Sequence, residues 1–172
     1  GETVRVTTWP SGVERLFATR EFLLATGNGD PIARASSCWI LLDQRRMHPR
    51  KVLETLPAKL PDNSARERFF TNLDKLPRVP VDHPLRTEIR ESMIDVNRHL
   101  NNARYVSGVF DWLADQRKSA PRIAEIQVNF LAGTAAASVL ETAGTLDDRR
   151  FYIESLLGSD PHFQASGLLQ TS

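Results

Sequence analysis

One segment of the chain, residues 102–117, carries apolar side chains at the spacing of an α-helix. The residues on this face are Val106, Val109, Phe110 and Leu113, with Tyr105 and Trp112 widening it. Four segments with strand-like patterns follow, at 122–132, 137–146, 150–157 and 162–170. A helix that is apolar on most sides must be covered, and these strands can cover it. The order predicts an α+β fold, with an antiparallel sheet wrapped around one central helix.

The first half of the chain has strand patterns without such a helix. Residues 3–9, 13–25 and 32–43 alternate or contain apolar runs. Between the last two, "TGNGDP" at 26–31 has the Gly, Asn and Asp-Pro residues of a hairpin turn, and "PSG" at 10–12 predicts another turn. This half resembles the strand part of the second, which indicates an internal duplication.

The predicted organisation is a partial first repeat at 1–60, a connector at 61–84 and a second repeat at 85–172. The connector region is rich in proline and charge, which favours a surface segment. Short helices are predicted at "PRKVLETLP" and "NSARERFFTNLDKL". Residues 85–93 alternate and are predicted to form the first strand of the second repeat.

Composition excludes several classes of protein. Apolar residues make up 41% and charged residues 25% of the 172 residues, as in ordinary soluble domains. A net charge of +1 gives no case for nucleic-acid binding, and no apolar run reaches the roughly 20 residues that span a membrane. Cys38 is the single cysteine, which fits the cytoplasm, and "ASSCWILL" around it predicts a buried strand with an inert thiol.

The polar stretch "SMIDVNRHLNNARY" at 92–105 stands directly before the helix. Asp95, Asn97 and His99 alternate, so an extended chain would project all three to one side. Asn101 or Asn102 can cap the helix, whose N-terminus offers free N–H groups and a positive dipole. A carboxylate and an imidazole can hold and deprotonate water, and an amide can stabilise an oxyanion. This equipment suits a reaction at a carbonyl group.

Two other interpretations of the motif stay open. Asx-rich segments before helices commonly form turns and caps with no catalytic role. A metal site is disfavoured, because His99 has no His or Cys at ligand spacing and His48, His83 and His162 are scattered. We predict no metal and no cofactor.

The motif at 92–105 resembles the signature D-x-N-x-H-x-N-N-x-x-Y of acyl-acyl-carrier-protein (acyl-ACP) thioesterases. In the first half, "TWPSG" and "ARASSCWILLD" followed by "RR" are similar to that family's first domain. The resemblance implies a tandem double hotdog fold with the first repeat truncated, the family's first strand and long helix preceding Gly1. It implies hydrolysis of fatty acyl-ACP to free fatty acid and carrier protein, which ends chain elongation.

The resemblance also implies a catalytic set of Asp95, Asn97 and His99, with Asn101 and Asn102 helping to position the thioester. Accounts of the family differ between a cysteine nucleophile and an activated water. Plant members have a Glu-Cys pair after the helix, where this chain has Gly133 and Thr134. The cysteine mechanism is then excluded, which favours water. Glu125 or Glu88 could supply a second carboxylate, although solvent-facing strand positions are the favoured interpretation for both.

The implied partner is acyl carrier protein, which is acidic. The basic run "QRRMHPRK" at 44–51, with Arg45 and Arg46, is a candidate docking patch, and a solvated loop is the equal alternative. Candidates to line an acyl tunnel are Phe17, Phe22, Leu24, Trp39 and Leu41, although plain core is the favoured interpretation for each. An acyl-coenzyme A thioesterase or related hotdog enzyme, a non-catalytic acyl- or carrier-binding module, and a homodimeric state stay open.

Overall fold

The computed structural model of the protein describes residues 1–43, 45–46, 48–55, 61–72 and 74–171. The chain divides between Asp74 and Lys75 into two units. Each unit is built on its own antiparallel sheet, of four strands in the first unit and five in the second. Among the described residues, no helix is long and apolar enough to cross a bilayer.

The first unit is a meander of long strands. These are β1 (Val4–Glu14), β2 (Phe17–Thr26) and β3 (Pro31–Leu42), followed by the short β4 (Pro49–Arg50) and the helix α1 (Val52–Thr55). The strands lie in sequence order in the sheet. The predicted hairpin turn at 26–31 is confirmed, and the Gly29 N–H donates to the Thr26 carbonyl across it at 3.0 Å.

The turn predicted at "PSG" is wrong. Strand β1 runs through it, and its pairing with β2 shifts register between Pro10 and Gly12. The chain turns instead after Glu14, where Arg15 has a φ of 56°. Proline and glycine also occur at strand bulges, so the same residues that signal a turn here mark a bulge.

The predicted burial of "ASSCWILL" is also wrong, because Cys38 is exposed on β3. The covered part of this sheet carries Trp9 and Glu21, which lie under residues 61–70. The Trp9 ring meets Phe69 edge-on with centroids 5.5 Å apart. Residues 61–72 form turns rather than the predicted helix. Partial desolvation, with a smaller effect of Glu14, raises the pKa of the Cys38 thiol.

The second unit confirms a helix with strands around it. Its elements are β5 (Asp82–Glu88), α2 (Asn102–Arg117), β6 (Ile123–Phe130), β7 (Val139–Asp147), β8 (Arg150–Leu157) and β9 (Asp160–Leu169). The sheet order is β5-β7-β8-β9-β6. The strand predicted at 85–93 instead ends at Glu88, and a 3₁₀ turn, Glu91–Met93, leads into the motif.

Helix α2 is the centre of the core. Asn101 caps its first turn, since its Oδ1 accepts the Ala103 N–H at 2.9 Å, and Lys118 ends it in the left-handed conformation. Its buried side chains are Tyr105, Val109, Trp112 and Leu113, and the sheet contributes Leu140, Phe151, Ile153, Phe163, Ala165 and Leu169. Gly144 permits this packing, because a Cβ there would lie 3.2 Å from the Trp112 ring and 2.6 Å from the Tyr152 carbonyl oxygen.

Candidate active site

The stretch between Ile94 and Leu100 is a tight turn. These two residues pair in an isolated β-bridge, and the Asp95 N–H donates to the His99 carbonyl at 2.8 Å. The prediction of an extended chain is therefore wrong. Arg98, with a φ of 64°, reverses the chain direction within the turn. An alternating pattern predicts a strand when the backbone has no nearby side chain to bond with. Here a side chain supplies the backbone with a hydrogen-bond partner.

That partner is the Asp95 carboxylate. Its Oδ1 accepts the backbone N–H of Asn97 at 2.8 Å and that of His99 at 3.4 Å. Asp95 thus forms an Asx turn that holds the two other motif residues. The turn-and-cap interpretation is confirmed for Asp95 and Asn101, and it does not exclude a site. The turn presents the same three residues to one cavity.

The loop after β6, residues 131–138, holds the turn in place. Its Thr134 carbonyl accepts the Leu100 N–H at 2.7 Å. The 3₁₀ turn before the motif adds a second bond, in which the Met93 carbonyl accepts the Asn101 N–H at 3.0 Å. The His99 imidazole lies directly against Gly133. A Cβ on Gly133 would lie 2.4 Å from His99 Cδ2 and 2.7 Å from Nε2, closer than real contacts allow. Only glycine leaves room for the ring in this position.

The turn, the first turn of α2 and the loop after β6 line an open cavity of about 290 Å³. It is lined by Asp95, Asn97, His99, Leu100, Asn102, Tyr105, Phe130, Leu131, Ala132 and Gly133. Polar groups come from the turn and the helix, and apolar groups come mainly from the loop and strand. Ligand sites typically combine an apolar wall with a few converging polar groups, as this cavity does.

Tyr105 lines the cavity, although its helical spacing predicts only a core residue. Its ring also stacks on the Phe163 ring, with the two centroids 5.3 Å apart. Burial raises the pKa of the Tyr105 phenol more than hydrogen bonds from Thr134 lower it. The phenol therefore keeps its proton at neutral pH and is a hydrogen-bond donor.

The structure brings together Asp95, Asn97, His99 and Asn102 from the predicted set, all of which line the cavity. Asn101 caps α2 with its side chain. Glu88 and Glu125 are exposed on β5 and β6. In the described residues, no group of three or more His, Cys, Asp or Glu side chains could hold a metal ion.

The remaining predicted residues belong to the first unit. Trp39 lies on β3, 59% exposed, and its Nε1 donates to Ser37 Oγ at 2.7 Å. The Asp43 carboxylate accepts the backbone N–H groups of Arg45 and Arg46, at 3.1 and 2.9 Å, and both arginines are exposed. Gln44 and Met47 of the basic run lie outside the described residues.

Comparison with protein families identifies two matching models. The acyl-ACP thioesterase N-terminal domain matches residues 1–60, and the acyl-ACP thioesterase C-terminal domain matches residues 79–158. The chain belongs to the acyl-ACP thioesterase family. The second match contains the turn, the helix and the loop that form the cavity.

Curated proteins similar to this chain include plant thioesterases. The chain is 26% identical over 162 residues to "Acyl-[acyl-carrier-protein] hydrolase FATB2, chloroplastic" of Cuphea viscosissima, covering 86% of this chain and 37% of that protein. It is 27% identical over 126 residues to "Palmitoyl-acyl carrier protein thioesterase, chloroplastic" of Arabidopsis thaliana, covering 64% and 29%. The chain thus spans less than half the length of these relatives.

Solved structures of the family share the fold. The "12:0-ACP thioesterase from Umbellularia californica" aligns with a TM-score of 0.76 at 19% identity, covering all of this chain and 69% of that one. An acyl-ACP thioesterase from Bacteroides thetaiotaomicron aligns with a TM-score of 0.72 at 20% identity, covering 98% and 69%. At these identities the likeness establishes the hotdog fold and nothing finer.

Proposed function

We propose that the protein hydrolyses fatty acyl-ACP thioesters, releasing free fatty acid and carrier protein and so ending chain elongation. The observation that carries the proposal is the seating of His99 on Gly133, inside a cavity that Asp95 and Asn97 also line. A cavity with a base, amide groups and an apolar wall suits a thioester attached to an acyl chain. Membership of the acyl-ACP thioesterase family supplies the substrate class.

His99 is the proposed general base. The Asp95 Oδ1 is engaged by two backbone N–H groups, so Asp95 serves first to hold the turn. His99 takes a proton from water as the water oxygen attacks the thioester carbonyl carbon. The carbon–sulfur bond then breaks, and the imidazolium returns the proton to the departing thiolate. A thiolate is a good leaving group, so this modest acid assistance is sufficient.

Amide groups are the proposed oxyanion donors. Asn97 and Asn102 line the cavity next to the N-terminal turn of α2. Their N–H₂ groups can donate to the developing oxyanion, and the positive end of the helix dipole favours negative charge there. The role of Asn101 in this proposal is indirect, because its side chain caps the helix that carries Asn102.

The test is steady-state hydrolysis of acyl-ACP by the wild-type protein and by His99→Ala. We expect the variant to lose about 100-fold or more in kcat, within the range that general base catalysis contributes. Val96→Ala is the matched control, since Val96 lies in the same turn and is 97% exposed. The wild type failing to hydrolyse acyl-ACP, or His99→Ala matching Val96→Ala, would contradict the proposal.

We further propose that Arg45 and Arg46 help to dock the acidic carrier protein. Asp43 fixes the backbone of the turn, which leaves both side chains exposed. In the same assay, Arg45→Glu/Arg46→Glu should raise KM for acyl-ACP and leave hydrolysis of a small thioester unchanged. An unchanged KM for acyl-ACP would remove the docking patch from the account.

We also propose that the repeats are 1–60 and 85–172, joined by the connector 61–84, and that Trp39 contributes to acyl-chain binding. A cytoplasmic location is supported by the single cysteine in the sequence. A homodimeric state can be checked by the mass of the protein in solution.

A further inference from the structure

A buried chain of hydrogen bonds lies behind the cavity wall. The Thr134 Oγ1 is 2.7 Å from the Tyr105 hydroxyl and 2.7 Å from His162 Nδ1. Thr134 is fully buried and His162 is nearly so. Thr134 does not line the cavity, whereas Tyr105 does. The chain of contacts therefore connects the cavity wall to strand β9 through one hydroxyl group.

His162 contacts the loop after β6 at three points. Its carbonyl accepts the N–H groups of Leu131 and Ala132, at 2.9 and 3.2 Å, and its Nδ1 meets Thr134. This loop carries both supports of the motif turn, namely the Gly133 surface under His99 and the Thr134 carbonyl that holds Leu100. The position of the His99 ring thus depends on how firmly β9 holds the loop.

The hydrogen-bond roles along this chain are complementary. A neutral His162 with its proton on Nε2 accepts at Nδ1 from the Thr134 hydroxyl. The Thr134 oxygen then accepts from the Tyr105 hydroxyl, which also lies 3.3 Å from the Ala132 carbonyl. The Tyr105 hydroxyl has one proton, which can be donated to the Thr134 oxygen or to the Ala132 carbonyl. Removing the Thr134 hydroxyl would leave His162 Nδ1 without this partner and the Tyr105 hydroxyl with only the longer contact to Ala132.

We propose that Thr134 and His162 are positioning residues for the hydrolytic reaction: together they fix the loop on which His99 is seated. The inference rests on the proposed function, and it assigns to Thr134 a role that requires no contact with substrate. The Thr134 hydroxyl acts through the loop backbone and not as a nucleophile, since it is sealed from the cavity by its neighbours.

The test compares Thr134→Val with Thr134→Ser. Valine keeps the shape and removes the hydroxyl, and we expect kcat to fall about tenfold with KM nearly unchanged, because small displacements of a catalytic group cost much rate. Serine keeps the hydroxyl and should restore kcat to within about twofold of wild type. The His99 imidazole resonance, assigned by its loss in His99→Ala, should shift in Thr134→Val and stay in place in Thr134→Ser.

Thr142→Val is the matched control. Thr142 is also buried, its Oγ1 lies 3.0 Å from Ser155 Oγ, and neither residue lines the cavity. Thr142→Val should lower the melting temperature about as much as Thr134→Val does, and it should leave kcat and the His99 resonance unchanged. Equal kcat values for the two valine variants, or a His99 resonance that Thr134→Val leaves unmoved, would overturn the inference. If the wild type shows no turnover, the proposed function fails, and the resonance alone decides the positioning role.

Discussion

The two units use similar sheets in different ways. Each sheet buries a glutamate on an interior strand, Glu21 on β2 and Glu154 on β8. In each unit an irregular segment crosses that glutamate, residues 61–70 in the first and 75–81 in the second. Only the second sheet packs on a long helix within the described residues, and the large apolar cluster lies entirely in that unit.

This difference shows what the helix contributes. Around α2 the second unit buries four large helix side chains against its sheet, and the N-terminus of the same helix faces the cavity. Among the described residues of the first unit, the buried apolar ones are few: Trp9, Ala25 and Val52. Core and candidate site therefore depend on the same element, and changes to the helix should affect both.

The largest expected effect is on the core around α2. Trp112 is 1% exposed, so Trp112→Ala should lower the free energy of unfolding of the second unit by about 3–5 kcal/mol. Trp39→Ala removes the same side chain from an exposed position on β3 and should cost about 0.5 kcal/mol. Urea denaturation followed by circular dichroism measures both. Similar losses for the two variants would break the comparison between the units.

The second largest loss of stability is expected from changing a buried glutamate. Arg78 binds both oxygens of Glu154, at 2.8 to 3.2 Å, and the Tyr152 hydroxyl and Gln164 also donate to it. Glutamine at 154 would turn an N–H₂ toward one of these donors. We expect Glu154→Gln to cost about 3 kcal/mol of unfolding free energy, the low end for breaking a buried ion pair, because Arg78 is half exposed.

Glu21→Gln is the matched control in the first unit. Glu21 is held by Ser11, Ser36 and the Phe69 N–H. The Ser11 hydroxyl can rotate to accept from an amide, so this variant should cost about 1 kcal/mol or less. A loss at position 21 as large as that at position 154 would show that the cation is not what distinguishes the two carboxylates.

The ion pair between Glu154 and Arg78 also predicts that the stability of the protein depends on pH in the acid range. Burial raises the pKa of Glu154, but hydrogen bonds from Arg78, Tyr152 and Gln164 outweigh it and hold the pKa below its usual value. The stabilisation is thus complete above the unfolded value of about 4.3 and is lost as pH falls through the lower, folded value. Urea midpoints of wild type and Glu154→Gln should approach each other as pH falls below the unfolded value of about 4.3. Curves that stay parallel to lower pH would contradict this.

Much of the fold follows from local patterns. Helix α2 was predictable because its apolar positions repeat at helical spacing and an Asn stands at its cap. The strands after it were predictable from alternation. The burial around Cys38 could not be predicted, because its apolar run does not show which part of the sheet the segment 61–70 covers.

The candidate site was predictable in its residues but not in its geometry. Alternation placed Asp95, Asn97 and His99 together, yet the side-chain hydrogen bonds of Asp95 fold the stretch into a turn that only coordinates reveal. The support from Gly133 and His162 comes from segments distant in sequence. No local pattern carries such contacts, so they could not be inferred from residue spacing.

The most direct test of the account is the rate of acyl-ACP hydrolysis by Gly133→Ala. Its Cβ would displace the His99 ring, and we expect kcat to fall by about 100-fold with little loss of stability, because His99 is exposed and its displaced ring can turn toward solvent. Gly108→Ala is the control, because Gly108 lies in the middle of α2 and its Cβ would make an ordinary contact of 3.5 Å with Thr142 on β7. A Gly133→Ala variant as active as Gly108→Ala would contradict the central claim that His99, seated on Gly133, carries the reaction.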